Sequence, residues 1–170
     1  MTRRPIIATI TTIQDDAAAD TALRDAFSNW ASGIAAVAVR DDGHVYAITA
    51  TAVTPVSLTP PLLLVCVGPN ATVLPFLEEG AEFAVSILSA EQRRQASLIA
   101  DPGPLSASLF PPDGPPVLAD ALAAFVCTVE STYPGGDHRI VVGRIVGVAD
   151  TSAGGPLIYF RRDYHRLPAE

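Results

Sequence analysis

An antiparallel β-barrel with a few short peripheral helices is the architecture this sequence predicts, and three observations lead there. The chain has 170 residues, the size of one domain with a substantial core. Runs rich in β-branched and aliphatic residues follow one another along most of its length, enough for seven or eight strands. Several of the links, Asp41-Asp42-Gly43 and Pro60-Pro61 among them, are too short for a parallel crossover. Antiparallel strands in succession close most simply into a barrel, and any edge left open is a place for a second copy to pair.

The elements follow in order. Residues 1–20 hold two arginines and no apolar h-region and are broken by acids, so they read as an extension and not as a signal peptide; the domain itself runs over 21–167. Thr21 to Ala31 sets Leu23, Phe27 and Trp30 at helical spacing, with Asp20 or Thr21 as cap, Gly33 as stop and Trp30 as a core anchor. Ile34 to Val39 and His44 to Thr49 flank Asp41-Asp42-Gly43, a hairpin signal. Val53 to Ser57 and Leu62 to Val67 form the next two strands. A short helix ends at Gly80, with Thr72 as cap and Pro75 in its first turn, where a proline breaks no internal bond. Glu82 to Leu88 is a strand, and Ser89-Ala90-Glu91-Gln92 is a capping box that opens a helix to about Ala100. The proline-rich segment from Asp101 to Pro116 is a loop and the one candidate for a mobile lid. Ala121 to Thr132 and Arg139 to Val148 are long strands joined by Tyr133-Pro134-Gly135-Gly136-Asp137-His138, and Leu157 to Phe160 is the last strand.

Composition excludes several functions. A hydrophobic content of 49% argues against disorder, and no apolar stretch is long enough to cross a bilayer as a helix. A formal net charge of −7 repels nucleic acid; Arg93-Arg94 and Arg161-Arg162 are too short to offset it. Neither nucleic acid nor membrane is expected as a partner, and a cytoplasmic location follows by default. Cys66 and Cys127 each lie in an apolar strand pattern without CxxC spacing or an adjacent base, as buried free thiols do. The three histidines lack ligand spacing, and there is no GxSxG, HExxH, P-loop or GxGxxG. A pocket with few reactive side chains leaves the chemistry to a cofactor.

The stretch from Ile48 to Leu64, ITATAVTPVSLTPPLLL, is the best candidate for that pocket. Its small side chains let a flat ligand lie close to the backbone, and its hydroxyls and amides offer hydrogen bonds without charge. Gly68-Pro69-Asn70-Ala71-Thr72 supplies a second polar loop ahead of a helical pattern, where an anion can sit. The plainer alternative is a Ser/Thr-rich strand followed by a turn.

Six segments in order resemble one family. They are Asn29-Trp30-Ala31-Ser32-Gly33-Ile34, the run Thr49 to Leu63, Asn70-Ala71-Thr72, Phe83-Ala84-Val85-Ser86-Ile87-Leu88, Gly136-Asp137-His138-Arg139-Ile140-Val141-Val142-Gly143, and Pro156-Leu157-Ile158-Tyr159 through Tyr164. Over roughly Leu23 to Leu167 the chain resembles the flavin reductase-like, FMN-binding split-barrel proteins, typified by the small reductase components of two-component flavin monooxygenases. The resemblance implies a Greek-key split barrel that uses FMN or FAD and takes hydride from NADH or NADPH. It implies a homodimer with the ligand groove near the subunit interface, and reduced flavin delivered to a partner monooxygenase. It places the flavin against Thr49, Ala50, Thr51, Ala52, Val53, Thr54, Ala84 and Ser86, its phosphate at Asn70 and Thr72, and the nicotinamide beside His138 as the catalytic residue. Tyr164 either covers the pocket or caps the last strand, and His138 has its own plain alternative as a hairpin histidine bonded to Asp137. Thr51 and Ala52 stand where the family has Asn-Ser, Asn70 where it has serine, and the loop from Pro102 to Pro116 lacks the family's Arg-Phe pair. The other function the same barrel admits is non-catalytic binding of flavin, haem or another small ligand.

Overall fold

The computed structural model describes residues 17–101, 109–149 and 153–168. Helix α1 (Ala17–Ser28) leads to β1 (Ser32–Gly33), β2 (Ala35–Asp41), β3 (His44–Ala50), β4 (Val53–Leu58) and β5 (Pro61–Val67). A 3-10 turn (Leu74–Phe76) and β6 (Glu82–Ile87) follow, then a second 3-10 turn (Ala90–Gln92) running into α2 (Arg93–Ala100). The long strands β7 (Ala123–Gly135) and β8 (His138–Ala149) precede β9 (Leu157–Phe160) and β10 (Asp163–Arg166). Seven strands form an antiparallel sheet in the order β3-β2-β6-β7-β8-β5-β4, and β1, β9 and β10 form a small second sheet. The Cys66 amide donates to the Ala52 carbonyl at 3.0 Å, one rung beyond the Val53–Val65 pair, so the β4–β5 ladder runs back to the turn that leaves β3. This is a split barrel, as expected.

Strand β2 is buried on both faces because two cores meet across it. Ala35, Val37 and Val39 point into the barrel with Val65, Val67, Phe83, Val85 and Val141. Ile34, Ala36 and Ala38 point outward, where Ala96 and Ile99 of α2, Phe110, Leu118 and Leu157 cover them. A continuous apolar run, without polar alternation, is what such a doubly covered strand requires.

The local signals mostly act as read. Asp42 and Gly43 take positive φ values of 44° and 73°, the backbone that a two-residue hairpin turn demands. Ser89 and Gln92 form the capping box: the Ser89 amide donates to Gln92 Oε1 at 2.9 Å. Gln92 is buried, and its Nε2 donates to the Ala119 carbonyl at 2.8 Å, tying the start of α2 to the loop beyond it.

Four expectations change. Helix α1 begins at Ala17, so Asp20 and Thr21 lie inside it, and Phe27 and Trp30 are 69% and 78% exposed. Trp30 is therefore no core anchor. The helix end is held by polar contacts instead: Arg162 pairs with Asp25, and the Arg161 amide donates to the Ser28 carbonyl at 2.7 Å. Thr72 does not cap a helix. Only one 3-10 turn forms there, Val73 precedes it, and Thr72 Oγ1 donates to the Ala47 carbonyl at 3.3 Å. Residues 102–108 of the expected lid lie outside the described residues, and the part from Leu109 onward is tied down. Phe110 is buried, and Arg40 donates to the carbonyls of Pro111 and Gly114. Strand β10 was not anticipated, because its turn is made by Arg161 and Arg162 at positive φ, without the asparagine or glycine that normally signals it.

Inside the barrel, a Cβ on Gly143 would stand 2.5 Å from Cζ of the fully buried Phe83 ring and 3.2 Å from the Cys127 Cβ. Gly143→Ala should therefore destabilise the fold by about 1–3 kcal/mol through overpacking, read as a lower urea midpoint. Adding Phe83→Leu should recover part of the loss; a single mutant with an unchanged midpoint would mean the ring has room to move.

Candidate functional site

Where the barrel splits, a cleft of about 320 Å³ opens between four parts of the chain. The end of β3 and the turn after it give Ile48 to Ala52; the end of β5 and the following loop give Cys66, Gly68 and Ala71. Ile99 and Ala100 come from the last turn of α2, and His138 comes from the β7–β8 hairpin. Turning the chain sharply from β3 into β4 exposes Thr51 and Ala52, and the Cys66–Ala52 bond holds that turn against β5. The Ala71 amide donates to the Gly68 carbonyl at 3.2 Å, which closes the loop beneath the imidazole.

Gly68 has a steric role here. A Cβ on it would lie 3.4 Å from His138 Nε2, so the ring already rests almost on the backbone. His138 Nδ1 is 2.7 Å from Asp137 Oδ1. That bond, with the charge of the imidazole, holds the Asp137 carboxyl below the usual carboxylate range. Asp137 thus fixes the ring orientation, and Nε2 is the nitrogen turned toward Gly68 and the cleft. Among the described residues, the lining carries no ionisable side chain apart from His138 and the Cys66 thiol. Small residues, two threonine hydroxyls and no formal charge fit a flat neutral ring system, and the volume is at the lower end of the roughly 300–1,000 Å³ usual for small-molecule sites.

Of the residues singled out in the sequence, Thr49, Ala50, Thr51, Ala52 and His138 come together in this cleft. Val53 turns toward the barrel core, and Thr54 is exposed farther along β4. Asn70 and Thr72 are exposed on the loop beside Ala71, without the helix N-terminus expected there. Ala84 and Ser86 are buried and do not line the cleft. They lie opposite Ala38 and Ala36 in the β2–β6 ladder, and the Ser86 hydroxyl accepts from the Leu118 amide at 3.0 Å. The segment around Leu118 covers that face of the sheet, which no local pattern in β6 discloses. Tyr164 is also outside the cleft lining. Its ring meets Tyr159 edge-on at 5.7 Å, and Arg93 lies 5.6 Å from its centroid. Burial pushes the phenol above its ordinary pKa. It braces α2, whose far end reaches the cleft.

Sequence reasoning missed Cys66, Ile99 and Ala100 as lining residues, whereas Gly68 and Ala71 belong to the polar loop it singled out. Cys66 is half-buried, whereas Cys127 is fully buried and its thiol is pushed up to about 12 by desolvation. Both thiols are free.

The fold is a split barrel, and its cleft is lined by small residues, two threonines and one histidine. The family described as Flavin reductase like domain matches residues 27–168, and the chain belongs to that family. Across 146 residues it is 38% identical to the reductase component of 4-hydroxyphenylacetate 3-monooxygenase from Thermus thermophilus, covering 86% of this chain and 95% of that one. It is likewise 38% identical over 141 residues to the NADH flavin reductase of Kitasatospora aureofaciens, covering 76% of this chain and 71% of that protein. Among solved structures, the NADH:FAD oxidoreductase SgcE6 of Streptomyces globisporus, in complex with NAD and FAD fragments, superposes with a TM-score of 0.81 at 28% identity. That match covers 94% of this chain and 98% of the other.

Native protein treated with iodoacetamide should be alkylated at Cys66 and not at Cys127, and saturating FMN should slow the Cys66 reaction. Peptide mass mapping reads both. Equal labelling with and without FMN would remove Cys66 from the flavin contact surface.

Proposed function

We propose that this protein is an NADH-dependent flavin reductase that gives reduced FMN or FAD to a partner monooxygenase. The observation that carries the reading is the uncharged cleft with His138 at its rim, in a chain of the flavin reductase family. The relatives named as monooxygenase reductase components support the partner class. Thr49 to Ala52 would hold the flavin ring system, with the Thr49 and Thr51 hydroxyls as hydrogen-bond partners. Hydride transfer from reduced nicotinamide is the chemistry the bound flavin supplies. The chain contributes orientation: small residues permit close approach of the rings, and α2 and the hairpin wall off water. With no lysine or arginine among the described residues of the lining, a flavin phosphate relies on amides and hydroxyls around Gly68 to Thr72. A cytoplasmic setting, where reduced nicotinamide is available, goes with this role; among the described residues no helix is long and apolar enough to cross a membrane.

His138 belongs on the nicotinamide side of the cleft in this reading. Its Nδ1 is engaged by Asp137, which leaves Nε2 for the co-substrate. His138→Ala should slow hydride transfer by the equivalent of about 1–3 kcal/mol of lost positioning while leaving flavin affinity within twofold. Stopped-flow reduction at saturating NADH, beside a flavin titration, measures both. An unchanged rate would confine His138 to its hairpin.

The working unit in this proposal is a homodimer. Val56 and Leu58 on β4 and Val146 and Val148 on β8 are 49%, 93%, 58% and 68% exposed. Those strands flank β5, whose Cys66 lines the cleft. Pairing two copies through this face would bury the apolar residues and set the cleft at the edge of the interface. Light scattering at micromolar concentration should give twice 17.7 kDa; a monomer mass would sink the proposal, and Leu58→Glu should shift the dimer toward monomer.

A further inference from the structure

Two metal-binding side chains line the cleft, Cys66 from β5 and His138 from the start of β8. The geometry points to a site there for a soft divalent cation of the zinc class, held by the Cys66 thiolate and His138 Nε2, that shuts the cleft when it is filled. Binding of the ion rests on these side chains alone; its effect on activity rests on the flavin-reductase reading.

Strand register supplies the first argument. Cys66 pairs with Ile140 and Val67 with Arg139, so the next rung sets Gly68 opposite His138. Alternate residues share a face, which puts the thiol and the imidazole on the same side of the sheet at diagonal corners. Diagonal neighbours stand about 7–8 Å apart, within reach of long side chains. The corner beside Cys66, just past the end of β5, is Gly68, which has no side chain. The imidazole leans into that corner: a Cβ on Gly68 would lie 3.4 Å from its Nε2. The nitrogen is thus carried from its own strand toward the line of β5, and rotation of the half-buried thiol toward Gly68 brings both donors to one ion. A tetrahedral zinc takes sulfur at about 2.3 Å and imidazole nitrogen at about 2.0 Å.

Chemistry supplies the second argument. Asp137 Oδ1 holds His138 Nδ1 at 2.7 Å, the carboxylate–imidazole pairing that orients a metal-binding histidine and leaves its other nitrogen as the donor. Thiolate and imidazole together select zinc-like ions over magnesium and calcium, which prefer oxygen. Among the described residues no lysine or arginine lines the cleft to repel a cation, and the net charge of −7 draws one in. No group of three or more His, Cys, Asp or Glu side chains is gathered among the described residues, so the ion keeps open positions for water and comes off reversibly. Once in place it fills the space between Thr49 to Ala52 and His138, and a flat ring and the metal exclude one another.

Titration of the untagged protein with Co²⁺, a spectroscopic stand-in for zinc, tests the site. A thiolate-to-cobalt charge-transfer band should grow to one ion per chain and be displaced by Zn²⁺. Cys66→Ser, which retains the buried Cys127, should lose the band. Asp137→Ala should weaken cobalt binding by about tenfold, as loss of an outer carboxylate does, and His138→Ala by more. In assays of NADH oxidation with FMN, Zn²⁺ should inhibit wild type, EDTA should reverse the inhibition, Mg²⁺ should have no effect, and Cys66→Ser should escape it. No band at saturating Co²⁺, a band that survives in Cys66→Ser, or wild-type affinity in His138→Ala overturns the site. Zinc that binds without slowing NADH oxidation overturns the closure. A wild type that takes up cobalt yet never oxidises NADH with added flavin would instead overturn the reductase reading and leave the metal site standing.

Discussion

The ring of Phe83 occupies the space in which residue 143 would carry a side chain, and much of the barrel depends on that substitution of one group for another. Phe83 projects from β6 across β7 and meets the bare backbone of β8. Three neighbouring strands are thereby packed onto one fully buried ring. Glycine is normally a weak residue in a strand, since it adds no packing and loses more chain entropy on folding. Here the missing side chain is filled by an aromatic from across the interior. With β8 drawn in at Gly143, its N-terminal end projects as the hairpin that carries His138.

The site is a consequence of how that barrel fails to close completely. A fully closed sheet would bury the turn after β3. In this fold the β4–β5 ladder runs on to the Cys66–Ala52 bond, and the backbone between β3 and β4 stays open beside it. The open stretch consists of alanine and threonine, so nothing bulky fills the gap. Helix α2 closes the far side, and Tyr164, Arg93 and the buried Gln92 hold the helix in place. The result is a cleft whose described lining is nearly free of charge, in a protein with a net charge of −7. A neutral ring system enters such a cleft without the desolvation cost that an ion would meet, which accords with a family whose members act on flavins.

Much of the fold was legible because its determinants are local. Asp42-Gly43 can adopt the positive φ values of a tight turn, Ser89 and Gln92 cap one another within four residues, and the apolar, β-branched runs mark the strands. Part of the candidate cleft's lining was legible for a similar reason: the small residues from Thr49 to Ala52 are contiguous, and His138 follows a turn sequence. Where the reading failed, the deciding partner was distant in sequence. Trp30 has the spacing of a core residue, yet α1 is fastened by Arg161 and Arg162 and leaves it exposed. Ser86 has the look of a ligand contact, yet its hydroxyl is taken by the Leu118 amide. Thr72 reads as a cap, yet it bonds a carbonyl of β3, twenty-five residues earlier.

By itself, then, the sequence determined an antiparallel barrel, its hairpins, its uncharged small-residue segment and its histidine, since backbone propensity and short-range hydrogen bonds act among neighbours and leave their mark on the order of residues. Only the tertiary structure decided which of those residues share a surface. It set Gly68 under His138, brought the end of α2 to the cleft, buried Ala84 and Ser86, and put Cys66 on the face that His138 shares. Contacts of that kind depend on how the sheet curls and where its ends meet, and that geometry is summed over the whole core and is not encoded in any one segment.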